Sequence, residues 1–184
     1  MTALTAANQL TLLRMLLIPA FVILVIYGSL GWALIVFVTA GVTDALDGVL
    51  ARRAGQKTTL GAWLDPMADK LLLVSTFVVL TMPGIGLANK LPVWLTVLII
   101  SRDIVIVLTV AIVNLAIGPR TFRPSIFGKI ATATYIVTAV VAMTFNYLGY
   151  HSVLVDVGIW ASLAVALISS LHYIWHVARI IDTP

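Results

Sequence analysis

Six long apolar runs, separated by short polar breaks, can be drawn along this chain: Leu10 to Tyr27, Leu30 to Arg53, Gly61 to Met82, Leu91 to Ile117, Ile126 to Leu148 and Val153 to Ile181. Each is close to the roughly 20 residues that an α-helix needs to cross a bilayer core. The breaks carry turn chemistry: Gly28-Ser29, then Gly55 with Lys57 and two threonines, then Pro83 to Asn89 with two glycines, then Gly118 to Ser125. The pattern predicts an all-α integral membrane protein of six transmembrane helices, with residues 1–184 forming a single domain.

Composition narrows the class. A chain that is 61% hydrophobic and only 10% charged does not fit a soluble globule. The absence of cysteine excludes disulfides and thiolate metal sites. The net charge of +4 is spread over the breaks without a dense basic tract, so nucleic acid is not expected as a partner and phosphate groups or anionic lipid are. Met1 to Gln9 lacks the basic region of a signal peptide, so no cleavage is expected. Arg52, Arg53, Lys57, Arg120, Arg123, Lys129 and Arg179 fall on one side of a six-span layout and only Lys90 opposite. The positive-inside rule then predicts a multi-pass protein of the cell's inner (cytoplasmic) membrane with both termini in the cytoplasm.

Against this apolar background, four of the seven acidic residues crowd between Thr43 and Lys70. Asp44 and Asp47 lie three apart, Asp65 and Asp69 four apart, so on helices each pair shares a face. The chain leaves the membrane after Arg53 and returns near Gly61, which puts both pairs at similar depth in one leaflet. Ionisable groups at that depth cost roughly 3 kcal/mol each on insertion scales and usually mark function. Four carboxylates together repel unless a cation sits among them. An all-oxygen set selects a hard ion, Mg2+ or Mn2+, over zinc. Two such ions about 4 Å apart would clamp a phosphoryl group. Gly48 and Ala51 leave room beside the acids for a bulky ligand, and Arg52 offers a fork for phosphate oxygens. Two other readings stand beside this one. The acids could simply pair with Arg52, Arg53 and Lys70, but pairing needs neither glycine nor alanine at fixed offsets. They could line a cation carrier, but Leu71 to Leu80 beyond them is almost entirely apolar.

The arrangement Asp44-x-x-Asp47-Gly48-x-x-Ala51-Arg52, eight residues, then Gly61-x-x-x-Asp65-x-x-x-Asp69 resembles the full signature of the CDP-alcohol phosphotransferase family. The six-span layout extends the resemblance over nearly the whole chain. It implies a homodimer of six-helix protomers, each with a polar cavity open to the cytoplasm, in which a CDP-linked lipid such as CDP-diacylglycerol meets an alcohol and CMP leaves. By the same resemblance Asp44, Asp47 and Asp65 match metal-binding acids. Asp69 matches the acid that also accepts the proton, as general base. Gly48, Arg52 and Thr58 match positions that hold the nucleotide and its diphosphate, with Ala51 and Gly61 in the same signature. Asn8 to Thr11 resembles the N-x-x-T stretch that precedes the first span.

The acceptor is read from the remaining cations. Arg102, Arg123 and Lys129 would suit an acceptor with its own phosphate, although Arg102 could equally pair with neighbouring Asp103, and the loop arginines could orient the chain or meet lipid head groups. Two branches of the family resemble the sequence, one using glycerol 3-phosphate, which is preferred, and one using phosphatidylglycerol. Arg14, near the start of the first span, either snorkels to the interface or serves the site. His172 and His176, on either side of Trp175, fit an interfacial belt better than a metal site, because no acid or cysteine completes a ligand set.

Overall fold

The apolar runs fold as six α-helices in a computed structural model of the chain: α1 (Ala6–Ile26), α2 (Leu30–Ala54), α3 (Thr59–Thr81), α4 (Val93–Ile117), α5 (Ile126–Leu148) and α6 (Val153–Asp182). The backbone is described for residues 6–54, 59–117 and 126–182, and side chains for 9–43, 67–113, 115 and 126–175. Among the described residues there is no strand. Among those residues, four segments are long and apolar enough to cross a membrane: Gln9–Ile26, Val93–Val113, Ile126–Leu148 and Val153–Trp175. A shorter apolar stretch, Leu30–Thr43, fills the first half of α2.

The helices form two compact units, Met1–Lys90 with Ala142–His151, and Leu91–Val141 with Ser152–Pro184. In the first, α1 packs against both α2 and α3. Thr11, Arg14, Phe21 and Val25 are all buried, and their spacing of three, seven and four makes one stripe down α1. Phe21 meets Phe37 of α2 with ring centroids 5.7 Å apart. Chain reversal after α1 uses Gly28 at φ 75°, a conformation that costs a residue with a Cβ. The Ser29 amide donates to Leu24 at 2.8 Å and the Gly28 amide to Val25 at 3.0 Å, so the last carbonyls of α1 are satisfied. Gly149, at φ 77°, ends α5 in the same way, and Phe145 and Tyr150 close over that turn edge to face at 5.2 Å.

A pair of buried asparagines ties the segment after α3 to the end of α5. Asn89 donates its backbone N–H to Asn146 Oδ1 at 2.6 Å, and Asn146 Nδ2 donates back to the Asn89 carbonyl at 3.1 Å. Asn89 Nδ2 also donates to the Tyr150 carbonyl at 2.9 Å. At 2% and 4% exposure, these amides would be costly without such partners.

In the second unit α6 presents a stripe of small or apolar buried residues, Val155, Ile159, Ser162, Ala166 and Ser169. Small side chains allow close helix approach where lipid offers no hydrophobic drive. A Cβ on Gly158 would lie 3.0 Å from Thr138 of α5, and the Thr138 hydroxyl reaches the Gly158 carbonyl at 3.2 Å and Ser162 Oγ at 3.1 Å. Ser152 caps α6, its Oγ accepting from the Leu154 amide at 3.3 Å. Trp94 of α4 lies against Trp160 of α6, with ring centroids 6.1 Å apart.

Candidate active site

Two helices carry the acidic signature and a third underlies both. Asp44, Asp47, Gly48, Ala51 and Arg52 lie on the last turns of α2, Gly61, Asp65 and Asp69 on the first half of α3, and α1 packs against each. All eight belong to the first unit. Asp69 is the member whose side chain is described. Thr58 and Arg123 lie outside the described residues, as do the side chains of Asn8, Asp44, Asp47, Gly48, Ala51, Arg52, Gly61 and Asp65. Among the described residues no group of three or more potential metal ligands occurs.

Asp69 is held from α1. Arg14 Nη1 donates to Asp69 Oδ1 at 2.7 Å, a charge-assisted bond. The arginine side chain is 1% exposed and the carboxylate 47% exposed. Arg14 therefore does not snorkel; it is buried on the stripe that includes Thr11, and it reaches a carboxylate that is about half exposed. Thr11, expected from the N-x-x-T stretch, is fully buried one turn earlier on α1. Just before Asp44, Thr43 Oγ1 bonds back to the Ala40 carbonyl at 2.8 Å, a local contact within α2.

Arg102 and Lys129, two of the cations expected for the acceptor, lie in the second unit. Arg102 is nearly buried and its fork is occupied: Nη1 donates to Asp103 Oδ1 at 2.7 Å and Nη2 to the Ser169 hydroxyl. Its Nε is buried with no hydrogen-bond partner among the described residues. The sequence pointed to Asp103 but gave no signal for Ser169, which is 67 residues away. Lys129, in the first turn of α5, is exposed. His172 packs on the Phe127 ring with centroids 4.6 Å apart, as part of an aromatic group with Trp175.

A groove of about 600 Å³ lined by Ser29, Gly31, Trp32 and Tyr147 opens at the start of α2. At 1.5 Å per residue, roughly 24 Å of helix separates Gly31 from Asp47, so this groove is not the acidic site.

Membrane-length apolar helices with a carboxylate-rich signature on two helices that share a third define the class as a helical membrane protein. The particular family follows from comparison. Residues 4–171 match the sequence model of the CDP-alcohol phosphatidyltransferase family, and the chain belongs to that family. It is 38% identical over 135 residues to a probable phosphatidylglycerophosphate synthase of Mycobacterium tuberculosis (strain CDC 1551 / Oshkosh), covering 68% of this chain and 59% of that protein. It is 33% identical over 194 residues to the CMP-forming cardiolipin synthase of Homo sapiens, covering 95% of this chain and 62% of that protein. A third relative, the CMP-forming cardiolipin synthase of Streptomyces coelicolor, is 41% identical over 117 residues, 60% of this chain and 52% of the relative. The chain thus spans between about half and two thirds of the length of these relatives.

Proposed function

We propose that the protein is a phosphatidyltransferase that moves the phosphatidyl group of CDP-diacylglycerol to an alcohol and releases CMP. The observation that carries this reading is the uninterrupted signature on α2 and α3, two helices joined through α1, in a chain of this family. The oxygen-only donor set of Asp44, Asp47, Asp65 and Asp69 fits Mg2+ or Mn2+, two ions in all. When bound, the ions supply positive charge that offsets the diphosphate. Gly48 and Ala51 leave space for the nucleotide, while Arg52, Thr58, Gly61 and the Asn8 to Thr11 segment hold it. Asp69 takes the proton of the acceptor hydroxyl. The acceptor oxygen forms a bond to the lipid-linked phosphorus, the diphosphate P–O bond breaks, and CMP leaves with the bridging oxygen.

Glycerol 3-phosphate is the proposed acceptor. Arg123 and Lys129 are assigned to its phosphate on charge and sequence position, with Arg102 assigned there only if its fork exchanges Asp103 or Ser169. The second reading, phosphatidylglycerol as acceptor, is supported by the match to the human cardiolipin synthase along 95% of the chain. Six membrane spans, cytoplasmic termini, a cavity open to the cytoplasm and a homodimer complete the reading. The test is CMP release by the purified protein with CDP-diacylglycerol and each acceptor in turn, with the lipid product identified. Release with glycerol 3-phosphate alone is expected. Release with phosphatidylglycerol alone would move the assignment to the second reading, and no release with either would reject the function.

A further inference from the structure

We infer that Arg14 is a positioning residue for Asp69, acting on the site through that carboxylate without touching a substrate. This rests on the reading of Asp69 as a metal-binding acid and proton acceptor. Three observations on α1 and α3 carry it. The 2.7 Å contact is made to one named oxygen, Oδ1, by one named nitrogen, Nη1. The two partners differ sharply in exposure, 1% for the arginine and 47% for the aspartate, so a ligand that reaches the pair from outside meets the carboxylate and not the guanidinium. Arg14 also sits on the buried stripe with Thr11, Phe21 and Val25 of α1, a helix that packs against both α2 and α3.

A guanidinium is planar and holds its N–H groups in fixed directions, so a buried arginine that donates one of them to a carboxylate oxygen restricts where that oxygen lies. The bond to Oδ1 therefore limits the side-chain torsion of Asp69. Asp69 lies on a helix as one of four acids that must serve the same small volume, and an error in its torsion would misplace both a ligand oxygen and a proton acceptor. Groups that orient a metal ligand from behind typically govern affinity or activity by about 10- to 100-fold. A geometric error near 1 Å costs turnover by about the same factor. Neutralising the carboxylate would require only a nearby positive charge. Positioning requires a donor held in a fixed direction, and this difference separates the two roles.

The test uses the full chain purified in detergent, as Arg14→Lys and Arg14→Gln. Lysine keeps the charge but not the planar donor; glutamine keeps a planar N–H donor but not the charge. Mn2+ affinity is measured by electron paramagnetic resonance without lipid substrate, alongside the thermal midpoint and the kcat and KM for CDP-diacylglycerol. The expected result for Arg14→Lys is a folded protein whose Mn2+ affinity falls about tenfold or more and whose kcat falls about 10- to 100-fold, while KM stays within about threefold. Arg14→Gln should retain more Mn2+ affinity than Arg14→Lys. The inference is overturned if folded Arg14→Lys binds Mn2+ like the parent protein, if Mn2+ affinity follows charge rather than planarity across the two variants, or if neither variant folds, which would make Arg14 a structural partner only. A parent protein that binds Mn2+ but releases no CMP would reject the proposed function while the Mn2+ comparison still decides the role of Arg14.

Discussion

Replacing Arg102 by methionine separates a structural pair from an acceptor contact. The side chains of Arg102 and Asp103 are 8% and 12% exposed and 2.7 Å apart, with Ser169 on the other arm of the fork. Removing one member of a buried pair costs about 3–5 kcal/mol. The Ser169 bond adds little, since hydrogen bonds between membrane helices average about 0.6 kcal/mol. A loss of about 3 kcal/mol should lower the thermal midpoint by roughly 6–12 °C at this chain length. Arg102→Met/Asp103→Leu removes both charges and should recover most of that loss, because apolar replacement of a whole buried pair is often close to neutral, within about 1 kcal/mol. The assay is the thermal midpoint by tryptophan fluorescence in detergent, with KM for acceptor and CDP-diacylglycerol measured well below it. If Arg102 serves only the pair, both KM values stay within about twofold, below the 1.4 kcal/mol that a tenfold change represents. A single variant with an unchanged midpoint and a tenfold higher acceptor KM would refute it and make Arg102 an acceptor ligand.

Chelation with excess EDTA should abolish CMP release, and Mg2+ or Mn2+ should restore it; full turnover in EDTA would remove the metal from the reading. Asp69→Asn should stop turnover while CDP-diacylglycerol binding stays measurable, and it should lower stability by about 1.5–3 kcal/mol because Arg14 then meets a neutral acceptor. Near-normal turnover in that variant would end the general-base assignment. Asp44→Asn, by contrast, should weaken both Mn2+ and nucleotide binding, as a direct titration of each would show. Asn146→Leu removes the acceptor of the Asn89 amide and the donor to its carbonyl, so the midpoint should fall by an amount worth about 2–4 kcal/mol with catalysis intact at low temperature. A midpoint within error of the parent would mean that water replaces the lost partners.

Helix positions were legible in the sequence because a membrane-length apolar run has few other uses, and both ends of α2, α5 and α6 fall within a residue of expectation. The differences have local causes. α4 starts at Val93 although the apolar run starts at Leu91, because Pro92 disfavours helical backbone at the residue before it. α1 starts at Ala6, ahead of the apolar run, because helix formation needs suitable residues and not apolar ones. The acidic signature was also legible, being local in sequence. What could not be read were contacts across long separations. Arg14 stood out as a charge in an apolar run, but its partner lies 55 positions on. Asn89 and Asn146 carried no signal beyond being polar near span ends, and only the fold brings them together, 57 residues apart.

The Arg14–Asp69 pair also bears on how the protein is made. Translation delivers α1 to the bilayer before α3 exists, since the two residues are 55 positions apart. For that interval α1 holds a cation without this carboxylate, in a setting where an arginine costs up to about 2.5–3.5 kcal/mol at mid-span and less near the end. Its apolar stretch, Gln9–Ile26, is long enough to insert regardless, with the guanidinium turned toward the head groups. The contact with Asp69 must then wait for the third helix. The pair thus orders biogenesis, because α1 reaches its final contacts only after the helix that completes the acidic signature has been synthesised.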